Sequence, residues 1–428
     1  MTSARNQSRR ITLSCRWLLP LVGSPIEHGW IRLEGGLIVA LGRGSSPGRQ
    51  SERIDLDDAI LLPGLINAHT HLEFSQCVTP LDATGGLPGW IGRIVATRRQ
   101  LPGSGERQAA VVAAIDRGLA ETAAAGVTAL GEIATAVPRG AYAGPGPAVC
   151  VFRESLGLRA EAVESQPRLV AGDLDRLVRS GLAAGVSPHA PYSVAASLGR
   201  RLVAEAIGRG LPVAMHLCES REEEELLTAG TGPFRTLLED LGAWDGRRPP
   251  TLLPPAEWIS LLARARRGIV VHATHIDHDP DALACLARHR SRLAVVVCPR
   301  TTRLIANVLP PIPLLMAAGI RVAIGTDSRA SNPDLSVLAE CRTLVDAGLV
   351  SPEEAVRMAT IQGAWALGRE ARSGCLAVGR PADLAILRPA GPAADPWAAA
   401  VDPATRVAAT FRRGRLIAGG LTPPDDAN

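Results

Sequence analysis

The chain has 428 residues, enough for two or three domains or for one large α/β barrel with a smaller attachment. Hydrophobic residues make up 46% and charged residues 21%, which calls for a packed core and excludes a disordered chain. The net charge is only +4 with no basic block, which leaves nucleic-acid binding unsupported. All 46 basic residues are arginine, which excludes a Schiff-base lysine, a P-loop lysine and any lysine-derived metal ligand.

From the N-terminus, Ile11, Leu13, Cys15 and Trp17 alternate with polar residues, which predicts a strand over Ile11–Leu19. Arg16 and Pro20 interrupt the apolar run and argue against a signal peptide. Short strands follow at Trp30–Glu34, Leu37–Leu41 and Ile54–Leu56, with Gly35-Gly36 as a turn. The texture then changes. Short apolar runs at Ile60–Asn67, Val127–Ile133, Ala148–Arg153, Gly185–Ser187, Pro212–His216, Ile269–His272, Leu293–Cys298 and Val322–Gly325 read as strands covered on both faces. Amphipathic helices are predicted between and after them, at Glu106–Ala125, Gln166–Ala184, Ser197–Arg209, Ala256–Arg266, Pro280–Arg290, Pro311–Ala318, Leu335–Ala347 and Pro352–Leu367. Eight strand–helix units predict an α/β fold of the (β/α)8 TIM-barrel class, with a doubly wound sheet as the alternative.

The chain ends in further strands, Ala382–Arg388, Val407–Arg412 and Arg415–Ala418, the last two joined by an Arg413-Gly414 turn. Strands at the two ends cannot each bury a face alone, so residues 1–59 and 373–428 are expected to form one small β-sandwich-like domain beside a barrel over 60–372. Gly140–Pro147 and Arg247–Pro255 read as loops. No apolar stretch reaches the ~20 residues that span a bilayer. The eight cysteines are scattered without a CxxC pair, which fits a soluble protein of the reducing cytoplasm.

Five of the nine histidines (His69, His71, His189, His216 and His272) fall at or just past predicted strand ends, on the face where barrels carry active sites. In His69-Thr70-His71, alternate residues of an extended segment point the same way, so two imidazoles can converge on one metal; a surface pair in a loop is the other reading. His216 ends a strand and suits a divalent metal. Glu219, three residues on, either serves as a proton shuttle or begins the acidic run Glu222–Glu225, itself read as a solvated helix face. His272 stands at a strand tip, with His275 and His278 in the loop beyond. Asp327, in Gly325-Thr326-Asp327-Ser328, can ligate a metal and take a proton from water, or cap the next helix.

The order of these elements resembles the amidohydrolase superfamily of metal-dependent hydrolases. The likeness runs from Pro63-Gly64-Leu65-Ile66-Asn67-Ala68-His69-Thr70-His71 through Ser187-Pro188-His189-Ala190-Pro191-Tyr192-Ser193 and His216-Leu217-Cys218-Glu219-Ser220. It continues in Val271-His272-Ala273 and Cys298-Pro299-Arg300 and ends in Gly325-Thr326-Asp327-Ser328-Arg329-Ala330-Ser331-Asn332. Without the lysine that bridges two metals in binuclear members, the chain is similar to the mononuclear deaminase and triazine-hydrolase branch. The stretch after His69 looks most like aminodeoxyfutalosine deaminases.

That resemblance implies one zinc or ferrous ion on His69, His71, His216 and Asp327, with Glu219, His272 and Asp327 catalytic. Asp327 would take a proton from the attacking water, His272 would orient it, and Glu219 would protonate a ring nitrogen before ammonia leaves. The implied substrate is an amino-substituted N-heterocycle such as a 6-aminopurine nucleoside. A cyclic amidohydrolase, a triazine chlorohydrolase and a silent metal-binding barrel are the competing readings. His189 either contacts substrate or packs behind the ligands. Arg153 meets a substrate hydroxyl or anion, or pairs with Glu154 or another carboxylate. Glu73 binds ribose hydroxyls or anchors its loop, and Trp90 stacks on a base or packs a loop. Small-molecule substrate and water are the expected partners, with a homo-oligomer open. The seventh-strand motif departs from its relatives at Arg300-Thr301-Thr302, which leaves that loop, like His275 and His278, without a role.

Overall fold

The computed structural model describes residues 10–46, 51–99, 104–244 and 251–421. One of its two eight-stranded sheets is a parallel barrel. Leu65–Thr70, Val127–Ala134, Ala148–Ser155, Ala183–Pro188, Val213–Leu217, Gly268–His272, Leu293–Val297 and Arg321–Ile324 pair in that order. A bridge between Thr70 and Asp327 returns the eighth strand to the first. Asn67 fastens this seam, donating to the Thr326 hydroxyl at 2.7 Å and accepting the Thr326 N–H at 3.1 Å. Gly325 permits the approach, since a Cβ there would lie 2.7 Å from the His69 carbonyl oxygen. The (β/α)8 expectation therefore holds, and the doubly wound alternative does not.

Inside the barrel, Ile66, Ala129, Phe152, Ala214, Val271 and Val296 form an apolar plug, while Val149, Val151, Met215 and Val270 face the helices. Gly185 makes room for the largest plug residue: a Cβ there would sit 2.5 Å from the Phe152 ring. With its interior filled, the barrel leaves polar chemistry to the strand tips.

The second sheet combines both ends of the chain. Its order is Arg415–Gly419, Arg406–Arg412, Leu384–Arg388, Ile60–Pro63, Ile11–Leu18, Ile26–Glu34 and Leu37–Arg43, with Glu52–Asp55 beside Ile11–Leu18. The run read as one strand over Ile60–Asn67 is thus two. Ile60–Pro63 pairs antiparallel with the C-terminal strand, and the chain enters the barrel only after Gly64. Any side chain at Gly64 would collide with Thr128, since a Cβ placed there would lie 2.1 Å from Thr128 Cγ2.

Several helices escaped the sequence pattern, among them Gly86–Arg99, Pro233–Asp240 and Pro299–Ala306, while the acidic run at Glu222–Glu225 lies in the helix Arg221–Ala229, as expected. Of the loop read at Arg247–Pro255, residues 247–250 lie outside the described ones. Among the described residues no helix is long and apolar enough to cross a membrane.

Candidate active site

The first strand delivers His69 and His71, the fifth His216 and the eighth Asp327, and their polar atoms converge. His71 Nε2 lies 3.3 Å from His216 Nε2. Asp327 Oδ1 stands 3.7 Å from His69 Nε2 and 3.5 Å from His71 Nε2. Donor atoms of the three histidines all fall within 4.8 Å of one another. His216 Nδ1 lies 2.8 Å from the His189 carbonyl oxygen; that oxygen can only accept, so the ring proton sits on Nδ1 and the Nε2 lone pair faces the cluster. Both ring nitrogens of His69 are buried without a hydrogen-bond partner. Each such group costs about 1–3 kcal/mol when left unpaired, so the cluster is built for a guest that accepts lone pairs. Three imidazole nitrogens and a carboxylate oxygen are a donor set for a divalent ion.

The protonation states agree. Burial holds the His71 and His272 imidazoles well below the usual histidine range and brings His216 down to about 4. Neutral imidazole is the form that binds metal. Burial alone would raise the Asp327 carboxyl, but the surrounding His69, His71 and His272 outweigh it and hold it below the ordinary value. The second carboxylate oxygen is tied down: the Ser331 hydroxyl donates to Oδ2 at 2.7 Å and itself accepts from Thr301 at 3.0 Å. The seventh-strand loop, whose residues depart from the related pattern, thus holds Asp327 through Thr301. Arg300 forks onto Asp334 at 2.6 and 3.2 Å.

Backbone strain aims two of these side chains. His272 follows the inward-facing Val271 and would point outward by simple alternation. Its φ of +71°, followed by +50° at Ala273, turns it into the mouth. Asp327 has φ +55°. Left-handed backbone at non-glycine residues costs about 1–3 kcal/mol and persists where its surroundings enforce it.

Glu219 faces His272, with Oε1 3.4 Å from Nε2. Burial, then the charges of Asp327 and Glu223, push its carboxyl well above the usual range, which favours the form that can donate a proton. Its backbone is held by Glu223, which accepts the N–H groups of Cys218 and Glu219, each at 3.0 Å. Glu223 is buried, which corrects the reading of Glu222–Glu225 as wholly solvated: the carboxylate turns back to satisfy the loop before its helix. Glu132 does the same for the first strand, accepting the Leu72 N–H at 3.0 Å.

Other predicted contacts fall around this centre. His189 packs beside His216 with ring centroids 5.0 Å apart, and its Nδ1 meets the Ser193 hydroxyl at 2.6 Å. Trp90 belongs to the Gly86–Arg99 helix and donates to the Ala330 carbonyl at 3.2 Å, so it packs over the eighth-strand loop. Glu73 is paired with Arg98 at 2.6 Å and accepts from Thr135 at 3.0 Å. Arg153 lies on the outward face of its strand and pairs with Asp173 at 2.5 Å, whereas its neighbour Glu154 faces inward. Glu73 and Arg153 both line a cavity of about 690 Å³ beside the histidine cluster, and none of the cluster histidines lines it. His278 sits at the surface between Glu224 and Asp277, 3.6 and 3.8 Å away. Glu154 and Ser331 escaped the sequence reading. Glu154 is reached only once Phe152 is seen to face inward, and Ser331, though inside the motif that ends at Asn332, only once its hydroxyl is seen on Asp327.

The profile of the amidohydrolase family matches residues 60–417. Aminodeoxyfutalosine deaminase of Deinococcus radiodurans is 31% identical over 77% of this chain and 78% of its own length. The 5-methylthioadenosine/S-adenosylhomocysteine deaminase of Moorella thermoacetica is 28% identical over 86% of this chain and 83% of its own. Among solved structures, Helicobacter pylori aminofutalosine deaminase in complex with methylthio-coformycin superposes with a TM-score of 0.80 at 22% identity, covering 95% of this chain and 100% of that one. The chain belongs to the amidohydrolase family.

Proposed function

We propose that the protein is a mononuclear metal-dependent hydrolase that deaminates an amino-substituted N-heterocycle, with 6-aminopurine nucleosides as the leading substrate class. The observation that carries this reading is the meeting, in one ring of strand tips, of a three-imidazole and one-carboxylate donor set with the Glu219 carboxyl, 3.4 Å from His272. The two relatives described above, an aminodeoxyfutalosine deaminase and a 5-methylthioadenosine/S-adenosylhomocysteine deaminase, support it.

In this reading His69, His71, His216 and Asp327 would hold the ion, zinc by preference and ferrous iron as the alternative, because imidazole nitrogens with a carboxylate oxygen suit both. Such an ion lowers the pKa of bound water from 15.7 to about 7. Asp327 receives the proton that the attacking water gives up, through Oδ1, because Oδ2 is occupied by Ser331. His272 orients that water from across the mouth. Glu219 delivers its proton to the ring nitrogen beside the attacked carbon; the proton taken up by Asp327 then passes to the amino group, which leaves as ammonia, and the proton of the new hydroxyl returns to Glu219 as the carbonyl forms. His189 meets the heterocycle and Trp90 helps roof the mouth. Glu73 and Arg153 steady the rim from outside, through Arg98 and Asp173. The barrel, from Leu65 to residue 372, acts as the catalytic domain, and the two ends of the chain, with Ile60–Pro63, act as its companion domain, in a reducing cytoplasm.

The test is ammonia release by purified, metal-loaded protein from aminodeoxyfutalosine, adenosine, methylthioadenosine, S-adenosylhomocysteine, guanine, cytosine and melamine. Turnover of a 6-aminopurine nucleoside is expected. Silence across the panel, with one metal bound and ring opening of cyclic amides or chloride release from triazines in its place, would overturn the reading.

A further inference from the structure

The third barrel strand turns Ala148, Cys150 and Phe152 inward, and the next inward position, at the tip, is Glu154. Its side chain is 2% exposed, yet Oε1 has no hydrogen-bond partner. A Glu154 carboxyl oxygen lies within 4.8 Å of ring nitrogens of His189 and His216, so it borders the candidate metal site. Four other buried carboxyls of the rim each accept at least one hydrogen bond. Glu132 holds Leu72 and Tyr142, Glu223 holds Cys218 and Glu219, Glu340 holds Arg300 and Asn332, and Asp327 holds Ser331. Glu154 alone among these ends in an oxygen with nothing to accept.

Resting on the deaminase reading and deepening it, we propose that Glu154 is a specificity-determining residue that accepts a hydrogen bond from a hydroxyl on the substituent carried by the heterocycle. The ring of strands orients the substrate. Asp327, His272 and Glu219 stand at the eighth, sixth and fifth strands, so the water, the attacked carbon and the adjacent ring nitrogen occupy that side. The remainder of the heterocycle extends toward the third and fourth strands, where Glu154 and His189 stand. Ring nitrogens are acceptors and the amino group is held at the reacting side. The donor that matches an orphan carboxyl oxygen therefore comes from a substituent. Glu73, the carboxylate that the sequence offered for this task, is already engaged by Arg98 and Thr135.

A buried carboxyl without a partner destabilises the protein that carries it, so an apolar replacement of similar size is tolerated or stabilising, whereas a structural residue behaves in the opposite way. Glu154→Leu and Glu154→Gln in the full chain, metal-loaded, test this with adenosine and 2′,3′-dideoxyadenosine as probes. Wild type is expected to favour adenosine by about tenfold or more in kcat/KM, because a site built for a hydroxyl rejects the analogue that lacks it. In Glu154→Leu the preference falls below about threefold through a higher KM for adenosine, with kcat nearly unchanged, and Glu154→Gln retains part of it. The Tm of the substrate-free Leu variant stays level or rises, and its metal content equals that of wild type.

A Leu variant that keeps the preference overturns the inference, as does a wild type indifferent to the two probes. Loss of bound metal in the variant also overturns it, by assigning Glu154 to the ion. A Leu variant that fails to fold contradicts it too, because apolar replacement is expected to be tolerated. Absence of ammonia release by wild type from every aminated heterocycle defeats the deaminase reading itself, a result distinct from an active enzyme insensitive to Glu154.

Discussion

The lower and upper halves of the same eight strands obey opposite rules. In the lower half, inward side chains such as Ile66, Ala129, Phe152 and Val271 are apolar, fully packed and built on ordinary extended backbone. At the tips, His69, His272 and Glu154 are just as buried, yet they carry polar atoms without partners, and His272 and Asp327 adopt left-handed backbone. The first arrangement maximises stability, because burial and close packing are its only demands. The second gives up stability to hold lone pairs and a proton in fixed positions, as sites shaped for a guest do. The boundary between them runs between consecutive inward positions, Phe152 and Glu154 being the sharpest case.

The contrast is best broken by changing one residue on each side of it. His216→Ala removes a tip donor, and the account expects activity to fall to background and metal to be lost, with a folded barrel retained; metal analysis and circular dichroism check both. Phe152→Ala, in the plug, is expected to cost about 3–5 kcal/mol of stability, read as a lower denaturant midpoint, while metal stoichiometry in the surviving fold is unchanged. If the plug variant loses metal before it loses stability, the two halves are not separate.

Ser331→Ala sharpens the comparison at the tips. It frees Asp327 Oδ2 and leaves the Thr301 hydroxyl without its acceptor, so kcat should fall about 10–100-fold while KM and Tm move little, and Ser331→Thr should recover much of the loss. An unchanged kcat would mean that the hydroxyl chain is only packing.

The smallest effect lies in the second sheet. Burial raises the Asp383 carboxyl, opposed by the N–H of Arg413 and nearby arginines. The folded chain therefore keeps this proton at pH values where the unfolded chain has released it. Its contribution to stability is full below the ordinary Asp value near 3.9 and is lost as pH rises through the higher folded value. Asp383→Asn, which still accepts from Arg413, should flatten that part of the Tm-against-pH curve without altering activity; an unchanged curve would count against it.

The barrel and most of its site were legible because each strand is a short apolar run with its chemistry at the end, so a histidine closing such a run already has an address. Four features were not. The junction at Gly64 hides inside a continuous apolar stretch, since Ile60–Pro63 and Leu65–Thr70 are equally buried in two different sheets. The outward turn of Arg153 and the inward turn of Glu154 cannot be read from a strand whose two faces are both apolar below them. The inward swing of His272 depends on φ values set by packing, against the alternation that the sequence suggests. Glu223, in a row of glutamates, shows no sign in the sequence that one of them turns inward to hold the Glu219 backbone.

The most direct test of the central claim is the rate of ammonia release from an accepted 6-aminopurine nucleoside by Glu219→Gln and wild-type protein at equal metal content. The variant is expected to bind metal as wild type does and to lose about 10²–10⁴-fold in kcat, the share that a positioned proton donor supplies. A variant that keeps its rate, or one whose loss of rate follows loss of metal, would contradict it.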